Sequence, residues 1–200
     1  IDDNYDEPDP ELNLLTWNVA STDSFYNFLP AMVIPGANQA NVHDNDVAKF
    51  KVSDNGPFTV VEGGAVKSFT IELETIPTAD VRVDLSMLTN EAEIAGPVSG
   101  SIVFTTSNWN TPQTVTIRAV DDSIDEPDGE TDQLSAIVSS SDPAYNGQPL
   151  VPWDIVVNDN DTAGIFTDSA PREQATEGGV RAAWQVRLTS KPSAPVTISM

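Results

Sequence analysis

The feature that most limits how this chain can fold is that it repeats itself. Asp44-Asn45-Asp46 recurs as Asp159-Asn160-Asp161 at an offset of 115, and Glu62-Gly63-Gly64 recurs as Glu177-Gly178-Gly179. At the same offset Phe69 meets Trp184, Leu73 meets Leu188, and Pro77, Ala79, Val81 and Val83 meet Pro192, Ala194, Val196 and Ile198. A second offset, 119, lays IDDNYDEPDPE at 1–11 over VDDSIDEPDGE at 120–130 and Tyr26-Asn27 over Tyr145-Asn146. The four-residue difference is a change of loop length between Tyr26 and Asp44. Such self-similarity describes a tandem array. The expected organisation is the closing part of one repeat at 1–46, a complete repeat at 47–161, and the opening part of the next at 162–200. Both ends read as cut, with VTISM at 196–200 stopping inside an expected strand.

Within the complete repeat the apolar period is two. Phe69, Ile71 and Leu73 alternate with Thr70, Glu72 and Glu74; Val81, Val83 and Leu85 alternate with Arg82, Asp84 and Ser86; Val115 and Ile117 alternate with Thr114, Thr116 and Arg118. That pattern predicts half-buried strands. Further strands are expected near 47–53, 57–61, 101–106, 132–139 and 150–157, separated by turn signals such as Asn55-Gly56-Pro57, Gly63-Gly64 and Asn146-Gly147. The fold class is therefore all-β: tandem immunoglobulin-like antiparallel sandwiches of about seven strands per repeat.

Charge decides which functions are open. The chain carries 31 Asp and Glu against nine Lys and Arg, one His and no Cys, for a formal net charge of −22. A nucleic-acid partner needs the opposite sign. Disulfide scaffolds, zinc ribbons and thiol catalysis need Cys. No apolar run approaches the roughly 18 residues of a membrane span, and the acidic opening is the reverse of a signal peptide, so no membrane insertion is expected in this segment. With 39% hydrophobic residues the chain has enough apolar surface to fold.

The acids are clustered. Residues 1–11, 44–46, 120–132 and 154–161 hold Asp2, Asp3, Asp6, Glu7, Asp44, Asp46, Asp121, Asp122, Asp125, Glu126, Asp159 and Asp161 among others, without one Lys or Arg. Two carboxylates 4 Å apart repel by about 1 kcal/mol in water and about 4 kcal/mol near a protein surface, so bringing such clusters together is costly without a cation. A solvated acidic surface is the alternative reading. The order of the features favours a site. The Glu of VEGG, the loop 120–130 and the terminal NDND at 158–161 all fall on connections at strand ends, which meet in an antiparallel sandwich. Oxygen-rich loops of this kind suit calcium, a hard cation taking six to eight oxygens, better than magnesium or a soft metal. The loop is not an EF-hand, since Asp121 to Glu130 lacks the sixth-position Gly and contains Pro127.

VEGG, NWNTPQTVTIRAVDD, the acidic loop and a closing VNDND followed by AGI together resemble the Calx-β repeats of sodium/calcium exchangers and of large bacterial surface proteins. The resemblance covers 47–161 and both flanks. It implies a calcium-binding sandwich with Ca2+ at the pole beside the following domain, and it carries ligand roles to Glu62, Asp121, Asp122, Asp125, Glu126, Asp159 and Asp161, with Asn160 offering a neutral oxygen. The repeat extends these to Asp2, Asp3, Asp6, Glu7, Asp44, Asp46 and Glu177. The middle-loop acid has no clear counterpart in MLTNEAEIAGPVSG, where Glu91 or Glu93 could serve. The expected function is a non-enzymatic structural repeat of an extracellular bacterial adhesin or surface filament, cell-surface or secreted, with calcium rigidifying the junctions. Its expected partners are neighbouring repeats of the same chain, and like chains in a filament or a surface receptor or glycan.

Two other readings compete. A carbohydrate- or ligand-recognition module would use exposed aromatics such as Trp17, Trp109 or Trp153 beside a metal, although packing is the simpler role for them. A hydrolase would use Asp125 and Glu126 as acid and base, but acids clustered without an apolar or basic setting are poor candidates for catalysis. His43 beside Asp44 has no nucleophile near it and reads as a surface or supporting residue.

Overall fold

The computed structural model describes residues 2–14, 21–25, 39–168, 177–179 and 185–199. Trp17, Tyr26, Asn27 and Trp184 lie outside them. Thirteen strands and no helix occur among the described residues: β1 (Glu11–Leu14), β2 (Gln39–Val42), β3 (Phe50–Val52), β4 (Phe58–Val61), β5 (Lys67–Leu73), β6 (Val81–Met87), β7 (Ala92–Gly96), β8 (Ser101–Phe104), β9 (Gln113–Ala119), β10 (Glu130–Ser140), β11 (Trp153–Asn158), β12 (Ile165–Thr167) and β13 (Val186–Leu188).

Strands β3 to β11 form a two-layer sandwich. One sheet runs β3-β5-β9-β7 and the other β4-β11-β10-β6-β8. Strands β5 and β9 are neighbours, and β6, β10 and β11 lie side by side, as do strands B and E and strands C, F and G of an immunoglobulin sandwich. The alternation of the sequence is what closes it. Phe69, Ile71 and Leu73 of β5, Val81 and Val83 of β6, Val115 and Ile117 of β9, and Ile155 and Val157 of β11 all point inward and are buried, while their neighbours in sequence face out. Each such side chain contributes roughly 1.5–3 kcal/mol on burial. An aromatic row crosses the layers, with Phe58 stacked on Phe69 at 5.4 Å and Phe69 against Trp153 at 4.7 Å. Tyr145 is fully buried, its hydroxyl 2.7 Å from Thr75 Oγ1 and donating to the Thr75 carbonyl, so the loop after β10 is pinned to the turn after β5.

The sandwich has nine strands where about seven were expected. The stretch 91–100, expected to be a middle loop, instead contains β7, which pairs with β9 across a bulge between Ile94 and Gly96. AEIAG offers only Ala92 and Ile94 to the interior, and its Ala and Gly carry little strand preference, so only the pairing with β9 defines it.

All pairings among the described residues are antiparallel except β4 with β11, which runs parallel from Phe58↔Ile155 to Val61↔Asn158. Parallel strands end at the same pole. Glu62 therefore follows β4 beside Asp159, which follows β11, and the loop leading into β10 starts there as well.

The flanks reproduce parts of this sandwich in the same register. β1 and β2 pair Glu11↔Val42 through Leu14↔Gln39, the counterparts of Glu130↔Val157 through Gln133↔Asp154 in β10 and β11. β12 and β13 pair Ile165↔Leu188 through Thr167↔Val186, the counterparts of Phe50↔Leu73 through Val52↔Ile71 in β3 and β5.

Candidate metal centre

Glu62 is placed by a turn that only glycine permits. Gly63 has φ +62°, and a Cβ there would lie 3.1 Å from Asn160 Nδ2 and 3.6 Å from an Asp121 carboxylate oxygen. Gly64 is excluded from substitution by space, since its Cβ would sit 2.8 Å from the Val61 carbonyl oxygen. The tight turn after β4 brings Glu62 inward, to 5% exposure, where its backbone N–H donates to the Asn158 carbonyl at 3.0 Å.

Around it, carboxylate oxygens of Glu62, Asp159 and Asp161 all lie within 4.8 Å of one another. Asp159 is held as an anion. It accepts the backbone N–H of Asp161 at 2.9 Å and of Glu126 at 2.7 Å, and these two bonds hold its pKa below the usual carboxylate range. Its neighbours move the other way. Burial, followed by the nearby Asp159 charge, pushes Glu62 up to about 7. Burial and the charges of Asp159, Asp121, Asp122 and Asp125 raise Asp161. Two oxygens in this group, Glu62 Oε2 and Asp161 Oδ2, are buried and have no hydrogen-bond partner. An orphaned buried carboxylate oxygen is costly unless something satisfies it. A hard cation does so, and the donor set, all oxygen, matches calcium.

The other expected ligands gather at the same pole. Asn160 Nδ2 donates to Asp121 Oδ1 at 2.9 Å, which turns its own oxygen away from Asp121. Asp122 Oδ1 accepts from Ile124 N–H at 2.6 Å, and Asp125 Oδ2 from Ala163 N–H at 2.7 Å. Glu126 belongs to a second group with Glu91 and Glu130, again within 4.8 Å, where burial and Glu130 raise it and Glu91 alike. Of the two middle-loop alternatives Glu91 is therefore the one at this pole, while Glu93 pairs with Arg118. Glu130 was not among the expected ligands. Nor was Asp132, which is 3% exposed and accepts the N–H groups of Thr89, Ala92 and Gln133 and so fixes the turn that carries Glu91.

A second acidic group lies among 2–7 and 44–46. Asp44 accepts from Asp46 N–H at 3.0 Å and from Glu7 N–H at 2.8 Å, which lowers its pKa as in Asp159. Asp46 is raised by burial and by the charges of Asp44, Asp2, Asp3 and Asp6. Asp3 accepts from Tyr5 N–H at 3.0 Å, as Asp122 does from Ile124. Glu177 is exposed on its own turn and belongs to neither metal-competent group among the described residues. His43 is also exposed and pairs through Nδ1 with Asp9 at 2.8 Å.

The aromatics offer little to a sugar. Trp153 is 1% exposed and donates its indole N–H to the Asp54 carbonyl, and Trp109 packs half-buried against the core.

No family model matches the sequence, and no curated protein matches it. Among solved structures, the chaperone–tip adhesion subunit pre-assembly complex CsuC-CsuE from the archaic chaperone-usher Csu pili of Acinetobacter baumannii is similar at 10% identity and TM-score 0.38, over 56% of this chain and 58% of that one. The Salmonella enterica SafA pilin in complex with the SafB chaperone is similar at 9% identity and TM-score 0.37, over 57% and 56%. Native Escherichia coli alpha-2-macroglobulin is similar at 13% identity and TM-score 0.37, over 66% of this chain and 8% of that one. This chain thus spans less than two thirds of each. At these scores the likeness decides nothing about function, and the sandwich stands on its own strand pairings. No helix among the described residues is long and apolar enough to cross a membrane.

Proposed function

We propose that this chain is a segment of tandem Calx-β-like repeats, from an extracellular bacterial adhesin or surface filament, whose junctions are stiffened by calcium. The proposed boundaries are 1–46, 47–161 and 162–200. The observation that carries the reading is the pair of buried, unpartnered oxygens, Glu62 Oε2 and Asp161 Oδ2, on carboxylates that cluster with that of Asp159. Recurrence of strand register and of acid-to-backbone hydrogen bonds in the flanks supports the repeat.

Glu62, Asp159 and Asp161 would hold the ion, with Asp121, Asp122, Asn160 and Glu126 around it. Calcium would supply positive charge to acidic loops that contain no Lys or Arg of their own. Glu62 belongs to the sandwich and Asp159 and Asp161 to the linker, so ligation ties the two together. Because the Glu62 carboxyl sits near neutrality when metal-free, binding releases a proton. Affinity is expected in the range of extracellular modules, about 10⁻⁴ to 10⁻³ M, and tighter as carboxylates are added.

Titration calorimetry with calcium and with magnesium, and thermal melting with calcium or chelator, test the proposal. Heat with calcium exceeding that with magnesium, and a higher melting temperature, are expected. No heat and no stabilisation would sink it.

A further inference from the structure

The acidic loops do a second job, visible at both junctions. Asp125 Oδ2 accepts the N–H of Ala163, and Asp6 Oδ2 accepts the N–H of Ala48 at 3.0 Å. One turn of chain earlier, the Ser123 carbonyl accepts from Lys191 N–H at 2.6 Å, and the Asn4 carbonyl from Ile76 N–H at 2.8 Å. Acceptors shift by 119 between the two junctions and donors by 115, so the four contacts are two copies of one arrangement. Each loop closes one sandwich; each donor belongs to the next.

We propose that Asp6 and Asp125 are clamp residues that fix the orientation of the following sandwich independently of metal, each loop gripping its neighbour at two separated points. This rests on reading the chain as successive sandwiches, but not on calcium. Two points are what distinguishes a clamp from a tether. Ala48 lies on the approach to β3, with its side chain in the core at 4% exposure, whereas Ile76 lies in the turn between β5 and β6, followed by the buried Pro77. A single bond allows rotation about itself; a second one, at the same end of the neighbouring paired strand, restrains it. The carboxylate bond is charge-assisted and so is the stronger of the pair. The donor of the other bond is followed by proline at both junctions, Pro192 after Lys191 as Pro77 after Ile76. Asp125 commits an oxygen to the linker backbone, while Glu62 and Asp161 keep theirs unpartnered.

Residue-resolved amide exchange on the full chain, in chelator and in calcium, tests this. In chelator, Ala48 and Ala163 should exchange at least tenfold more slowly than unprotected linker amides. Asp125→Ala should remove that protection at Ala163 and speed exchange at Lys191, and Asp6→Ala should do the same at Ala48 and Ile76. Asp125→Asn, which retains an acceptor oxygen, should restore part of the protection. Protection at Ala163 that arises only with calcium, or that survives Asp125→Ala, would overturn the clamp. A parent chain that binds no calcium yet shows these exchange patterns would overturn the metal reading and leave the clamp standing.

Discussion

The pole at Asp159 and the pole at Asp44 are built on one frame of acids. Both centre on an Asp that accepts two backbone N–H groups, followed two residues later by a half-buried Asp whose pKa is raised. Into the first, Glu62 is driven from a neighbouring strand end, and there three acids come within ligating distance of one another, with two orphaned oxygens among them. Among the described residues the Asp44 pole displays the frame of loop and linker acids, and the Asp159 pole displays that frame with Glu62 set into it.

The largest expected effect comes from removing Glu62 from that frame. Glu62→Ala should lower calcium affinity at the Asp159 pole by roughly 100-fold or more, while weak binding elsewhere persists; calorimetric titration separates the two classes. Asp159→Ala comes next, because it removes a ligand and also strands the N–H groups of Asp161 and Glu126. Each lost hydrogen bond to a charged group is worth about 1.5–3 kcal/mol, so chemical denaturation in chelator should already show the loss. Asp44→Ala strands the N–H groups of Glu7 and Asp46 in the same way, so the same measurement should show a comparable loss if the frame is shared.

Acidity sharpens the contrast further. Glu62 has a pKa raised in the folded state from 4.5 to about 7, so between those values the folded protein holds a proton that the unfolded chain has given up. Its contribution to stability is present below pH 4.5 and is lost as pH rises towards 7. Melting in chelator should therefore include a fall across that window which Glu62→Gln removes and which calcium offsets. Least disruptive is Gly63→Ala. Its φ of +62° and the 3.1 Å approach to Asn160 predict a destabilisation of about 1–2 kcal/mol, read as a lower melting temperature, with calcium affinity reduced less than by Glu62→Ala.

The strands that were legible in the sequence are those whose β-branched and aromatic residues alternate, such as Phe69 to Leu73 and Val81 to Leu85, because burial on one face leaves a period-two trace. β7 left none, being an edge strand of Ala, Glu and Gly held by pairing with β9. The gathering of Glu62 with 121–126 and 159–161 was legible because every member sits next to a strand end and the loops recur. Glu130 and Asp132 were not, since they are the first residues of β10 and acquire their roles from the turn at 88–92 that folds over them. Which oxygens would be left without partners is likewise a property of side-chain rotamers and not of spacing.

The parallel pairing of β4 with β11 has a mechanical consequence. These strands sit near the entry and the exit of the sandwich, so tension along the chain pulls them in opposite directions along their own axes. The bonds from Phe58↔Ile155 to Val61↔Asn158 are then loaded together in shear and must fail together, where an antiparallel hairpin pulled from its open end would peel one bond at a time. Glu62 and Asp159 stand at the last rung of that ladder, so an ion between them would act as a rivet on the part of the domain that bears the load.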